Sequence, residues 1–222
     1  MIEINDVSKS YKRDHAPEVK ALDNVSLRIA KGEFAAVVGP SGSGKTTLMN
    51  IIGLLDVPDS GSYKLNGKET SELDIDELAE LRNKQIGFVF QQFHLLPKTT
   101  AKENVELPLV YSDRTKITGL AEEALAMVGL RERMSHTPEE LSGGQQQKVA
   151  IARALVNNPE IILADEPTGN LDSKSGEDIM EIFRDLNSNG RTIILITHDK
   201  KIASYANRTF VIVDGTITEE KR

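Results

Sequence analysis

Gly39-Pro40-Ser41-Gly42-Ser43-Gly44-Lys45-Thr46 sets three glycines, a lysine and a threonine directly behind the apolar run Phe34-Ala35-Ala36-Val37-Val38. The octet fits G-x-x-x-x-G-K-[ST]. Its place after a strand and before a helix is what separates a phosphate-binding loop from a flexible turn. Glycines let consecutive backbone N–H groups turn inward around an anion where a Cβ would block the approach. The following helix presents its positive end to the same point. On this reading Gly39 to Thr47 cradle a polyphosphate, Lys45 reaches its β- and γ-phosphates, and the Thr46 hydroxyl ligates Mg²⁺.

Outward from that loop, short apolar runs alternate with helical periodicity, which predicts an α/β fold with a parallel sheet. Phe34–Val38, Ile86-Gly87-Phe88-Val89-Phe90, Ile161-Ile162-Leu163-Ala164 and Ile193-Ile194-Leu195-Ile196 are continuous rather than alternating, as strands covered on both faces require. Ile2-Glu3-Ile4, Val25-Ser26-Leu27-Arg28-Ile29 and Tyr63-Lys64-Leu65 alternate, and so predict an antiparallel sheet with one wet face. Between Gln92 and Pro159 the strand signal fades. Thr118 is expected to cap a helix carrying Glu122 and Glu123 in its first turn, with Gly129 at its end. Thr137-Pro138 reads as another helix start, and Val149, Ala152 and Leu155 lie at helical spacing within Gln145 to Asn157. Asp172 or Ser173 caps a further helix with Ile179, Ile182, Phe183 and Leu186 inward, leaving through Asn189-Gly190.

Composition excludes several classes of protein. The 222 residues are 39% hydrophobic and 27% charged, the content of an ordinary globular chain. With 27 basic against 34 acidic residues the net charge is −7, a poor footprint for binding nucleic acid. Cysteine is absent, so disulfides and thiolate metal sites are too. No apolar run approaches the roughly 18 residues that cross a bilayer, and Met1 to Asp6 does not read as a signal peptide. A cytoplasmic location is the expectation.

Three further places carry chemistry. Glu160-Ile161-Ile162-Leu163-Ala164-Asp165-Glu166 is a buried strand ending in two carboxylates, whose side chains point opposite ways and therefore serve different roles. Asp165 suits a Mg²⁺ shell, and Glu166 suits the polarisation of an attacking water. His198 ends the strand Thr192 to Thr197 at the carboxyl edge where open α/β sheets gather ligands. Leu141-Ser142-Gly143-Gly144-Gln145 is a second glycine-bearing helix start and thus a second anion site. One nucleotide does not require two phosphate cradles from a single small domain.

At these residues the sequence resembles the ATP-binding cassette (ABC) ATPases, and it does so over essentially all 222 residues. GPSGSGKT is similar to their Walker A, Gln91 in FVFQQF to their Q-loop and LSGGQ to their signature. IILADE matches Walker B, Asn170-Leu171-Asp172 the D-loop and His198 the switch histidine. Tyr11 falls where the family stacks an aromatic ring on adenine. The resemblance implies a P-loop NTPase. Residues 1–91 and 160–222 would form a RecA-like ATP-binding core with its antiparallel β subdomain, and 92–159 an inserted helical subdomain. It also implies ATP and Mg²⁺ as ligands, with Gln91 sensing metal or water. Two copies would dock head to tail, so that Ser142, Gly143, Gly144 and Gln145 of one, with Asp172 nearby, close over the γ-phosphate held by Lys45 of the other.

Within the family, IGFVFQQFHLLP, ENVELPL and LSGGQQQKVAIARAL are similar to the MacB/LolD type, which exports macrolides and peptides or releases lipoproteins through a membrane subunit. A permease partner and a peripheral place on the inner face of the cell membrane follow from that likeness, and nucleic acid is not expected. Lys148 departs from the pattern, which usually has Arg; it keeps the charge without the planar fork. The segment Arg13 to Val19 is longer than in the shortest cassettes. A cell-division cassette that signals without moving cargo fits the same motifs. Ribosome- or DNA-acting relatives fit less well, since they usually carry two cassettes or long coiled coils and a basic surface. A kinase-like P-loop enzyme leaves LSGGQ unexplained.

Overall fold

A computed structural model describes residues 1–12, 18–112 and 115–220, so residues 13–17 of the Arg13–Val19 segment lie outside it. The chain begins with β1 (Ile2–Tyr11), β2 (Val19–Ile29), β3 (Phe34–Val38), α1 (Lys45–Ile52), β4 (Ser60–Leu65), β5 (Lys68–Glu69) and α2 (Ile75–Gln85). β6 (Ile86–Val89), α3 (Ala101–Glu106), α4 (Leu120–Met127) and α5 (Gly143–Leu155) follow. β7 (Ile161–Asp165), α6 (Ser173–Ser188), β8 (Thr192–Thr197), α7 (Lys200–Ala203), β9 (Arg208–Val213) and β10 (Thr216–Glu220) complete it. Two compact units result, one of Met1–Ala79 with Thr192–Arg222, the other of Glu80–Arg191.

The first unit contains the antiparallel sheet that alternation predicts, in the order β2-β1-β4-β5. Ile2 pairs with Ile29 and with Leu65, and all three side chains are buried while their neighbours Glu3 and Lys64 are not. In the same unit β3 runs parallel to β8 and to β9, with Val38 opposite Thr197 and Val211. Phe34, Ala35, Ala36 and Val37 are at most 2% exposed, which accounts for a run without polar alternation. Tyr63 of β4 ties the antiparallel sheet to α1: its buried hydroxyl donates to the Ile52 carbonyl at 2.8 Å, and burial pushes its ionisation upward. The hairpin β9–β10 is a feature the sequence reading did not identify. Asp214 and Gly215 both take positive φ, 47° and 76°, the geometry of a tight hairpin turn.

In the second unit β6 and β7 pair in parallel, Val89 opposite Ala164. Among the described residues no strand lies between 92 and 159; α3, α4 and α5 pack against one another there. Thr118 is not the cap of α4. Gly119 is, in left-handed conformation (φ 89°), because the carbonyl that receives the Glu123 N–H belongs to Gly119. Gly129 (φ 76°) does close that helix, with the Leu130 N–H returning to the Leu125 carbonyl at 2.8 Å. Thr137-Pro138 starts only a single 3₁₀ turn, Pro138–Glu140, held by a reciprocal Thr137–Glu140 cap. Of the two candidates for the next cap, Asp172 is the one used. Met180 rather than Ile182 completes the buried stripe of α6 with Ile179, Phe183 and Leu186.

Candidate functional site

In the first unit two sequence-singled places come from adjoining strands. β3 runs into the loop Gly39–Gly44, and β8, its parallel neighbour, ends at Thr197 opposite Val38, so His198 leaves the sheet beside Gly39. His198 is exposed there. Gly39 has no room for a side chain: a Cβ would meet the Ile212 carbonyl oxygen at 2.2 Å and Ser43 Oγ at 2.7 Å. Gly44 caps α1 at φ 107°, and a Cβ would lie 2.4 Å from the Ala21 carbonyl oxygen. Gly42, by contrast, is required by its φ of 78° alone, since the space around it is open.

Lys45 spans the loop from below, donating to the carbonyls of Gly39 at 2.8 Å and Pro40 at 2.7 Å. Pro40, Ser41 and Thr46 are exposed, and Thr47 is buried. Ser43 is 2% exposed and its hydroxyl has no hydrogen-bond partner, so a buried donor within the loop is left unspent. The positive end of α1 points at the same loop. Together these place an ammonium and an unspent hydroxyl at the positive end of α1, the chemistry that receives an anion.

Tyr11 ends β1 in the same unit and is 37% exposed. Its hydroxyl donates to Asp56 Oδ2 at 2.7 Å, and the Lys9 ammonium sits 5.5 Å from its ring centroid. Burial, then the bond to Asp56, pushes the phenol above its ordinary range.

The second unit carries the rest. β7 delivers Asp165, half-buried, and then Glu166, whose φ of 44° is left-handed. A non-glycine residue there stores strain of about 1–3 kcal/mol. Gln91, two residues past β6, donates from Nε2 to Asn170 Oδ1 at 3.2 Å, and Asn170 Nδ2 returns to the Gln91 carbonyl at 3.0 Å. Gly169 lies beside it, and a Cβ there would approach Gln91 Nε2 to 2.8 Å and push the amide aside. Gln91 and the stretch after β7 are thus one bonded structure.

Ser142 caps α5 through a reciprocal box: its hydroxyl accepts from the Gln145 N–H at 3.3 Å, and its own N–H donates to Gln145 Oε1 at 3.0 Å. Gly143 and Gly144 open the helix, and a Cβ on Gly144 would press on Ser175 at 3.1 Å. Asp172 spends both carboxylate oxygens as the cap of α6, accepting from the Ser175 N–H at 3.0 Å and the Ser175 hydroxyl at 2.6 Å. The Ser175 hydroxyl, then its N–H, holds Asp172 below the usual carboxylate range.

Two residues escaped the sequence reading. Gln147 is 0% exposed and donates to the carbonyls of Phe90 at 3.2 Å and Pro167 at 2.7 Å, clamping the exits of β6 and β7 to α5. Arg153 donates to the carbonyls of Phe93, at 2.9 Å, and His94. Burial lowers its ionisation from the ordinary arginine range. A polar residue on the inward stripe of an otherwise apolar helix was the available signal for both. Beside them lies a groove of about 360 Å³ lined by Phe93, His94, Leu95, Pro97, Pro138 and Gln146.

Each unit offers donors of the kind Mg²⁺ takes: in the first the exposed Thr46 hydroxyl at the start of α1, in the second the half-buried Asp165 carboxylate at the end of β7, both oxygen only. Among the described residues no cluster of three or more His, Asp or Glu could hold a metal unaided. Likewise, among the described residues no helix is long and apolar enough to cross a membrane.

A family model described as ABC transporter matches residues 22–169. Over the whole chain there is 52% identity to a macrolide export ATP-binding/permease protein MacB of Bdellovibrio bacteriovorus, of which 34% is covered. Identity is 53% to the uncharacterized ABC transporter ATP-binding protein YvrO of Bacillus subtilis, covering 100% of this chain and 97% of YvrO. The chain thus spans about a third of the MacB relatives and nearly all of YvrO. Among solved structures, the dimeric post-hydrolysis state of the ATP-binding cassette MJ0796 bound to ADP and Pi has a TM-score of 0.91 at 48% identity, covering 100% of this chain and 98% of that one. Another dimeric MJ0796 structure, described as a bacterial ABC transporter cassette, has a TM-score of 0.91 at 50% identity, with the same coverage.

Proposed function

We propose, from the premise that this chain belongs to the ABC transporter family, that it is an ATP-hydrolysing motor working as a head-to-tail dimer on a membrane permease. The reading is carried by the duplication of anion-binding helix starts, α1 behind Lys45 and α5 behind Ser142-Gly143-Gly144, in a chain whose structural neighbours are dimers.

Each residue then has a role that its setting supports. The backbone of Gly39 to Thr46 and the Lys45 ammonium take the β- and γ-phosphates of ATP, and Tyr11 stacks on the base. Thr46 and Asp165 hold Mg²⁺, with Gln91 at its edge. When bound, the cation neutralises phosphate charge. Glu166 accepts a proton from the attacking water, and the strained φ at that position supports its being held for chemistry rather than stability. His198, exposed beside Gly39, takes the γ-phosphate side. Ser142, Gly143, Gly144 and Gln145 close the second copy's nucleotide, with Asp172 at the seam. Nucleotide then holds the halves together, and hydrolysis releases them.

The permease partner is supported by the MacB relatives, whose printed name joins ATP-binding protein and permease, and by the groove near Arg153, whose lining mixes Phe93, Leu95, Pro97 and Pro138 with Gln92, His94, Glu139 and Gln146. Val110 and Tyr111 are also exposed on the same unit, 75% and 80% accessible. The strand-free stretch supports residues 92–159 as a helical subdomain that passes the dimer's closing to that partner. Export of the MacB kind is supported by the printed name of the MacB relatives, whereas lipoprotein release of the LolD kind and a place on the inner membrane face rest on the sequence likeness alone. Glu166→Gln should bind ATP with Mg²⁺, turn it over at least about 100-fold more slowly, and accumulate ATP-dependent dimers in size-exclusion chromatography. If no ATP-dependent dimer forms, the head-to-tail reading is wrong.

A further inference from the structure

Lys9 and Asp56 form a built cluster behind the ring of Tyr11. The Lys9 side chain is only 11% exposed, and its ammonium reaches Asp56 Oδ1 at 2.9 Å, Asp59 Oδ1 at 3.3 Å and the Val57 carbonyl at 2.8 Å. Asp59 also accepts the Ser10 N–H at 2.7 Å and donates its own N–H to the Ser8 carbonyl at 2.9 Å. The end of β1 is therefore bolted to the segment 56–59, which leaves α1, the helix that starts at the phosphate loop. A lysine this far from solvent, with three acceptors, is a fixed part of the structure. A solvated surface pair would be worth little.

We propose that Lys9 and Asp56 are positioning residues that set the base selectivity of the nucleotide site by fixing the Tyr11 ring. The inference rests on the stacking role of Tyr11 proposed above. Asp56 accepts a hydrogen bond from the phenol hydroxyl, which pins the far end of the ring. Lys9 lies over the ring at 5.5 Å from the centroid. A cation on one face draws π density toward itself and leaves the opposite face electron-poor, which favours stacking with an electron-rich purine. Because segment 56–59 follows α1, the distance from base wall to phosphate loop is set by covalent geometry rather than by side-chain freedom. Preorganisation of this kind strengthens binding by lowering what must be ordered when ligand arrives.

The test uses the full chain and equilibrium affinities for MgATP and for Mg²⁺ with inorganic triphosphate, which has no base. Asp56→Ala and Lys9→Met should each weaken ATP about 5- to 10-fold, within the range of one lost aromatic or cation–π contact. Triphosphate affinity should stay the same. Asp56→Asn, whose amide oxygen still accepts the phenol, should restore most of the loss. In a Tyr11→Ala background Asp56→Ala should add nothing, since its effect passes through the ring. Equal weakening of ATP and triphosphate would assign the cluster to general stability and overturn the proposal. So would an unchanged ATP affinity in Asp56→Ala while Tyr11→Ala weakens it. If Tyr11→Ala itself leaves ATP affinity intact, the stacking reading fails first and the inference falls with it.

Discussion

At Glu166 the side chain and the backbone make separate demands. Its φ of 44° suits glycine, yet the position carries a carboxylate at the exit of a buried strand. Glu166→Ala and Glu166→Gly both remove the carboxylate, so they differ only in backbone freedom. At an ordinary position the glycine variant would be less stable. Here it should be more stable than the alanine variant by about 1 kcal/mol in urea unfolding without nucleotide, because left-handed backbone costs an L-residue roughly 1–2 kcal/mol. The opposite order would mean that no strain is held there. Lys45 makes a different argument. Its ammonium is bonded only to loop carbonyls among its hydrogen-bond contacts, so its removal should leave the fold intact and abolish measurable MgATP binding in titration calorimetry. A Lys45→Ala protein with normal affinity would contradict the role of the loop.

At the scale of elements, the helix starts are held by charge. Asp172 caps α6, Glu103 closes the cap of α3 with Thr100, and Glu140 closes the turn after Thr137. All three carboxyls are held below their ordinary values, Asp172 chiefly by the Ser175 hydroxyl, Glu103 and Glu140 chiefly by the N–H groups of Thr100 and Thr137. A depressed folded value contributes stability above the ordinary value near pH 4. That contribution is lost as pH falls through the folded one. The urea midpoint should therefore drop below about pH 4. Asp172→Asn, which still caps but does not titrate, should flatten the acid limb while changing little at pH 7. Equal acid limbs in the two proteins would remove Asp172 from the account. Arg153 is the other element-scale device: Arg153→Ala strands the Phe93 and His94 carbonyls and should cost about 2–3 kcal/mol.

Across the whole molecule, what the sequence disclosed was whatever depends on local pattern. Continuous apolar runs marked β3, β6, β7 and β8, and the glycine octet marked its loop. Asp214-Gly215 carried a hairpin signal as plain as any, but with no strong alternation in Arg208–Val213 it went unread. Gln147 and Arg153 were hidden for another reason: their place on the inward stripe of α5 was the one sequence signal, and their partners are backbone carbonyls distant in sequence, which no residue type names. The puzzle of two helix starts suited to anions was visible from the start, and the proposed second copy resolves it. If one chain's Ser142-Gly143-Gly144 edge completes another's site, hydrolysis depends on encounter. The direct measurement is ATP turnover per chain as the protein is diluted at saturating MgATP. Turnover should fall steeply below the dimerisation range and recover on reconcentration, whereas a rate per chain that stays constant at every dilution would show that one copy is a complete enzyme.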